Sequence, residues 1–222
     1  MSKELIDFLK KFVLEERYQN FQNVLNNRTR YITVVLEDIF QSQNASAVLR
    51  TADCFGIQDV HVIENKNVYQ LNPDVTLGSS NWLNINKYKN KENNTLDTIH
   101  HLKNNGYRII ATSPHKNDVD LEHFDLSKGK TALFFGTEIN GLSDIVLENA
   151  DEYLKIPMFG FTESFNISVS AAIVLYDLTT KLRKSEIIWQ LSDTEKDEIM
   201  LSWLKQTLRK PELLIKSFYL RK

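Results

Sequence analysis

Short apolar runs alternate with segments of helical period through most of this chain, and that alternation constrains its fold more than any other feature. Strands are expected at residues 32–36, 60–63, 82–86, 108–112, 133–135 and 153–156, and helices at 45–55, 96–104, 143–149 and 167–184. Strands joined through helices run parallel, and a parallel sheet must be covered on both faces. The expectation is an α/β protein with a mostly parallel sheet and helices on both faces. Leu5, Ile6, Leu9, Phe12 and Val13, then Phe21, Val24 and Leu25, place a helical segment ahead of the sheet. Asp193-Thr194-Glu195 and Pro211 give start signals for two further helices, expected at 194–208 and 212–219. Residues 1–30 and 185–222 therefore read as short helical extensions of a domain spanning 31–184. The polar stretch 87–94 reads as a loop, and there are no internal repeats.

The glycines say where a ligand is not bound. All seven, Gly56, Gly78, Gly106, Gly129, Gly136, Gly141 and Gly160, lie outside GxG spacing, so a dinucleotide fingerprint and a P-loop are both missing. The special turns cluster instead after the late strands, near Thr112, Gly136 and Ile156. In the stretch Ile156-Pro157-Met158-Phe159-Gly160-Phe161-Thr162-Glu163-Ser164-Phe165-Asn166-Ile167-Ser168-Val169-Ser170, Pro157 removes a backbone donor after a strand and Gly160 lets the chain turn. Ser164 or Asn166 then offers a helix N-cap oxygen, and Ser168, Ser170, Ala171 and Ala172 open the helix with small side chains. A capped helix after a loop would explain an isolated Ser-x-Asn. Two more blocks accompany this one: Thr131-Ala132-Leu133-Phe134-Phe135-Gly136-Thr137-Glu138-Ile139-Asn140-Gly141-Leu142-Ser143, a strand that breaks at a glycine and restarts as a helix, and Asn44-Ala45-Ser46-Ala47-Val48-Leu49-Arg50-Thr51-Ala52-Asp53, which sets an Arg six residues after an Asn.

In order and spacing these blocks resemble the three motifs of the SpoU (TrmH-like) branch of the SPOUT superfamily, over residues 31–176, about two thirds of the chain. The resemblance implies an RNA ribose 2′-O-methyltransferase with a C-terminal trefoil knot, S-adenosylmethionine as cofactor and a homodimeric assembly whose active sites lie near the subunit interface. Residue by residue it makes Arg50 the catalytic arginine, with Asn44 orienting it or the ribose. It gives Glu138, Ser164 and Asn166 the positioning of the arginine and reacting groups. It also puts Thr112, Gly136, Ile156 and Met158, with Ser164 and Asn166, around the cofactor.

Methyl transfer from a sulfonium to a ribose hydroxyl requires an in-line approach and removal of a proton from a very weak acid, with no metal or covalent intermediate. The protein's share is orientation and electrostatics. Arginine is effectively always protonated, which conflicts with a simple general-base role for Arg50. Either a substrate phosphate perturbs it and assists proton removal, or Arg50 clamps that phosphate and stabilises the developing alkoxide.

The short extension before the first strand, the helices after Tyr176 and the run Leu77-Gly78-Ser79-Ser80-Asn81-Trp82 look like the branch that methylates guanosine 18 in the tRNA D-loop. Phe40-Gln41-Ser42-Gln43 departs from it, since that branch has a basic, proline-containing sequence there, and Phe165 stands where Leu is common. Ribosomal RNA or another tRNA nucleotide is the alternative substrate. An RNA-binding module without turnover is the alternative of a different class, against which stands the joint retention of Asn44, Arg50, Glu138, Ser164 and Asn166.

The net charge of −2 conceals a division. Residues 1–30 carry six Lys or Arg against four Asp or Glu, and residues 178–222 carry ten against six, leaving eleven against nineteen between them. Basic extensions on an acidic core supply phosphate-neutralising surface, which assigns RNA contact to residues 1–30, although mixed-charge solvated helix faces would read the same way. The single cysteine, Cys54, excludes an internal disulfide and, in the apolar run 52–55, is expected to be buried. The five histidines show no metal-ligand spacing. No signal peptide and no membrane-length apolar run is present, so the expected location is the cytoplasm.

Overall fold

Each of the six expected strands is present, the third displaced from 82–86 to Asn84–Tyr88. The computed structural model describes residues 2–91, 93–113, 119–137 and 140–220. In chain order the elements are α1 (Ser2–Leu9), α2 (Glu15–Leu25), β1 (Ile32–Glu37), α3 (Ser42–Cys54), β2 (Asp59–Ile63), α4 (Pro73–Thr76), β3 (Asn84–Tyr88), α5 (Asn94–Asn104), β4 (Arg108–Thr112), β5 (Val119–Asp120), β6 (Thr131–Phe135), α6 (Asp144–Asn149), β7 (Glu152–Lys155), α7 (Ile167–Lys184), α8 (Asp193–Thr207) and α9 (Pro211–Leu220). They divide into two units, Arg30–Trp189 and a second made of Met1–Thr29 with Gln190–Lys222. The two terminal stretches, separate in sequence, thus belong to one unit.

In the larger unit the seven strands form one sheet of order β3-β2-β1-β6-β4-β7-β5, and every pairing is parallel. β1 and β6 are buried along their full lengths and pair in register from Ile32 with Thr131 to Leu36 with Phe135. Side chains two apart share a face, and both faces are apolar. Ile32, Val34, Leu36, Leu133 and Phe135 pack against α3 and α7 through Ala45, Val48, Leu49, Ala171, Val174 and Leu178. Val35, Ala132 and Phe134 pack on the opposite face with Ile99 and Leu102 of α5 and Val146 of α6. The positions Ala45, Val48, Leu49 and Ala52 recur at i, i+3, i+4 and i+7, which explains why α3 is a helix with one buried side.

The smaller unit is held by aromatic packing. Phe8 lies 5.3 Å from Phe218, Phe21 lies 5.5 Å from Trp203, and the buried Arg28 sits 5.6 Å over the Trp203 ring. Ser192 and Glu195 form a reciprocal capping box at the start of α8.

Two expectations are corrected. Lys87 and Tyr88 belong to β3 rather than to a loop, because Val62 and Ile63 pair with them. At a sheet edge polar side chains are tolerated, so the strand lacks an apolar signature. Cys54 is exposed. It stands two positions after the fully buried Ala52, and a helix turns about 200° over two residues, which carries the thiol away from the core.

Beside β3, His61 is only 5% exposed, its Nδ1 lies 2.9 Å from the Tyr88 hydroxyl, and His101 lies 6.3 Å away by ring centroids. Burial, assisted by repulsion from His101, pushes the His61 pKa down to about 4. An unfolded histidine titrates near ~6.5, so between those values the unfolded chain binds a proton that the folded chain does not. Stability from this group is complete above about pH 6.5 and is lost as pH falls towards 4, by up to roughly 3 kcal/mol. Thermal unfolding followed from pH 7 to pH 4 is expected to show a smaller loss of Tm in His61→Phe than in the wild type. Equal losses would remove His61 as the source.

Candidate active site

The three turns singled out in the sequence meet beyond the C-terminal ends of β4, β6 and β7, with β4 lying between the other two strands. This edge is where open α/β sheets bind ligands, because the strands end together and the loops diverge. A cavity of about 260 Å³ opens there. Its walls are apolar at Phe135, Leu154, Ile156 and Met158, and polar at Ser113, Thr137, Asn140 and Ser164. No charged side chain lines it among the described residues.

Local hydrogen bonds fix each wall. Thr112 Oγ1 donates to Phe134 O at 2.7 Å, and Ser113 N donates to Leu154 O at 3.1 Å, so the ends of β4, β6 and β7 are tied together. After β6 the chain folds back, with Thr137 and Gly141 exchanging two backbone hydrogen bonds of 2.9 Å. Gly141 has φ +66°, and a Cβ on Gly136 would lie 2.1 Å from Gly141 O. A larger residue would be strained by backbone conformation at the first position and would collide at the second. Asn140 N donates to Thr137 Oγ1 at 3.1 Å across the same turn.

The third wall ends at the N-terminus of α7. Of the two capping candidates Asn166 is the cap, its Oδ1 accepting from Ser168 N at 2.9 Å and from Ser168 Oγ at 2.6 Å. Its Nδ2 donates to Asn44 Oδ1 at 3.2 Å, and Asn44 Nδ2 donates to Gln41 Oε1 at 3.0 Å. Residues 122 positions apart are thereby joined, and the first and third motifs become one polar network. Asn44 is buried at 8% exposure, at the start of α3.

Thr112, Gly136, Ile156, Met158 and Ser164 all line the cavity. Asn166 stands at the helix cap beside it and is not a lining residue. Arg50 is on the exposed side of α3, away from the lining, and forms no hydrogen bond or ion pair among the described residues. Six helical positions rotate by roughly 240°, so it emerges on a different side from Asn44. Glu138 lies outside the described residues. Four polar contributors are not singled out by the sequence: Ser113, Thr137 and Asn140 in the cavity wall, and Glu37 behind it. Asn140 sat within the second motif without being singled out. Glu37 ends the otherwise apolar strand β1, is 3% exposed, and accepts from Ser143 N at 2.9 Å and Ser143 Oγ at 2.7 Å. Its only signal was an acid in a buried run.

Comparison with known proteins agrees with this geometry. The model of the SpoU rRNA Methylase family matches residues 31–176. A tRNA (guanosine(18)-2′-O)-methyltransferase of Borreliella burgdorferi is 52% identical over 204 residues, 92% of this chain and 91% of that protein. The enzyme of the same name from Aquifex aeolicus is 31% identical over 86% of this chain and 90% of its own length. A crystal structure of the A. aeolicus TrmH/SpoU tRNA modifying enzyme superposes with TM-score 0.78 at 29% identity, over 89% of this chain and all of that one. A parallel sheet, motif turns gathered at its C-terminal edge and this extent of sequence identity lead to one conclusion: the chain belongs to the SpoU rRNA methylase family.

Proposed function

We propose that this protein is an S-adenosylmethionine-dependent RNA ribose 2′-O-methyltransferase acting on guanosine 18 of the tRNA D-loop. The observation that carries the reading is the convergence of the second and third motifs on one cavity, with the first motif joined to its rim through Asn44 and Asn166. The substrate follows the relative that is 52% identical over nearly the whole chain.

The cavity suits the cofactor. Its volume of about 260 Å³ lies just below the roughly 300–1,000 Å³ of small-molecule sites. Apolar walls suit an adenine ring, and the hydroxyl and amide groups of Thr137, Asn140 and Ser164 suit a ribose and an amino-acid tail. Thr112, Gly136, Ile156, Met158 and Ser164 are the residues that would hold it, with Asn166 placed beside them at the cap of α7. When bound, S-adenosylmethionine supplies an electrophilic methyl group.

The chain's own residues supply placement. Asn44 and Asn166 share one hydrogen bond, so the start of α3 is fixed to the cap of α7 and the geometry of the rim is set before substrate arrives. Arg50, exposed and without a described partner, is available to an RNA phosphate. Clamping that phosphate and stabilising the developing alkoxide requires no deprotonation of the guanidinium. Glu138, next to Thr137 in the second motif, is assigned to positioning. The terminal unit is assigned to RNA contact on the strength of its basic excess, and a trefoil knot is assigned to the turns after β4, β6 and β7 by family membership.

Assembly as a homodimer is supported by α7, where Val169 and Tyr176 are 44% and 64% exposed at i and i+7. An apolar stripe of this kind is suited to a second copy. No described helix is long and apolar enough to cross a membrane, and no described group of His, Cys, Asp and Glu has metal-binding geometry. The cytoplasm, where tRNA is found, is the proposed location.

The function is tested by incubating unmodified tRNA with the enzyme and S-adenosylmethionine, then digesting the product for nucleoside mass spectrometry. One 2′-O-methylguanosine per tRNA is expected, and none when guanosine 18 is replaced by adenosine. Methylation of ribosomal RNA alone would move the substrate and leave the chemistry.

Arg50→Lys keeps the charge and loses the planar fork, so it is expected to bind S-adenosylhomocysteine normally in calorimetry while single-turnover methyl transfer at saturating tRNA falls by more than about tenfold. A rate within about twofold of wild type, under roughly half a kcal/mol of barrier, would exclude Arg50 as the catalytic residue. Light scattering at micromolar protein is expected to give about 50 kDa, twice the 25.8 kDa chain. A fully active monomer would contradict the dimer.

A further inference from the structure

Glu37 is the last residue of β1, is 3% exposed and is contacted by three donors. Ser143 N donates to Oε2 at 2.9 Å, Ser143 Oγ donates to Oε1 at 2.7 Å, and Thr95 Oγ1 donates to Oε1 at 2.7 Å. Thr95 Oγ1 in turn accepts from Asn65 Nδ2 at 2.8 Å. Among the described residues the carboxylate has no cationic partner, so these donors alone replace its lost hydration.

Ser143 is an informative place to be held. It follows the cavity-lining residues Asn140, Gly141 and Leu142 directly, and it caps α6, whose Leu147 also lines the cavity. In the segment between β6 and Ser143, Gly136 approaches Gly141 too closely for a Cβ, and Gly141 is left-handed. One end of the segment is fixed by β6 in the sheet. The other is fixed by Glu37. A hydrogen bond to a charged group is worth more than a neutral one, and a buried donor left without its acceptor is costly, so the loop's position depends on this carboxylate.

We infer that Glu37 is a positioning residue for the cofactor: through Ser143 it sets the second-motif wall of the cavity, and with it the affinity for S-adenosylmethionine. The inference rests on the cofactor reading given above. Glu37 is not a lining residue, and it acts only through Ser143 and Thr95.

The full-length protein is titrated calorimetrically with S-adenosylhomocysteine as wild type, Glu37→Gln, Ser143→Ala and the double variant, with thermal unfolding recorded for each. Glu37→Gln removes the charge and replaces one of the two acceptor oxygens with an amide donor, so the donors on Oε1 and on Oε2 can no longer all be satisfied. The expected result is about tenfold weaker binding in each single variant and a loss in the double variant well short of the product of the two, because the variants share the Ser143 hydroxyl–Glu37 contact. In steady-state assays the KM for S-adenosylmethionine is expected to rise in step while the KM for tRNA stays put. A merely structural role would lower Tm without this coupling. Should Glu37→Gln fail to fold, Thr95→Val withdraws a single donor and is expected to weaken binding in the same direction. Folded variants that bind within twofold of wild type, or multiplicative losses in the double variant, would overturn the inference alone. Failure of the wild type to bind would overturn both the inference and the cofactor reading.

Discussion

The pairing of β1 with β6 is the contact on which the rest of the molecule depends. These strands are about a hundred residues apart, yet they lie side by side in register, with Val34 opposite Leu133 and Leu36 opposite Phe135. Both are buried on both faces, so the pairing cannot form without α3 and α7 on one side and α5 and α6 on the other. Parallel pairing at this separation closes a long loop before any contact compensates for it, and apolar burial at about 25 cal/mol per Å² is the term large enough to do so. Once formed, it brings the C-terminal ends of β1 and β6 to the same edge. Glu37 and the turn after Phe135 are neighbours for that reason.

From that edge outward, placement is achieved by few and specific bonds. Asn166 caps α7 with one side-chain atom and reaches Asn44 with the other. Glu37 holds Ser143, and Ser143 starts α6. In each case a single polar side chain ends one element and locates another. A site built this way needs little rearrangement to accept a ligand, which is the physical content of preorganisation.

The sheet and its helices were legible because burial on two faces writes itself as continuous apolar runs, and the start of α7 was legible in its cap and small residues. The cavity residues Thr112, Gly136, Ile156, Met158 and Ser164 were legible as turn positions after those runs, and their roles came from family resemblance rather than from period. Other features left no such trace. Cys54 looked buried because Ala52 and Phe55 stand close to it in sequence, whereas one helical turn back it follows Arg50 and Thr51. Lys87 and Tyr88 looked like loop because edge strands need no apolar pattern. Glu37 was invisible because its partners, Thr95 and Ser143, are 58 and 106 residues away.

The two edges of the sheet have a consequence of their own. At one border stands β3, with Asn84, Asn86 and Lys87 among its five residues, and at the other stands β5, two residues long. A border that is brief or charged offers a poor template for a neighbouring strand, and natural sheets use both devices to prevent edge-to-edge growth. Open-ended strand addition, the route by which parallel sheets polymerise, is therefore blocked at both margins. Any contact with another copy falls to surfaces other than the sheet edges.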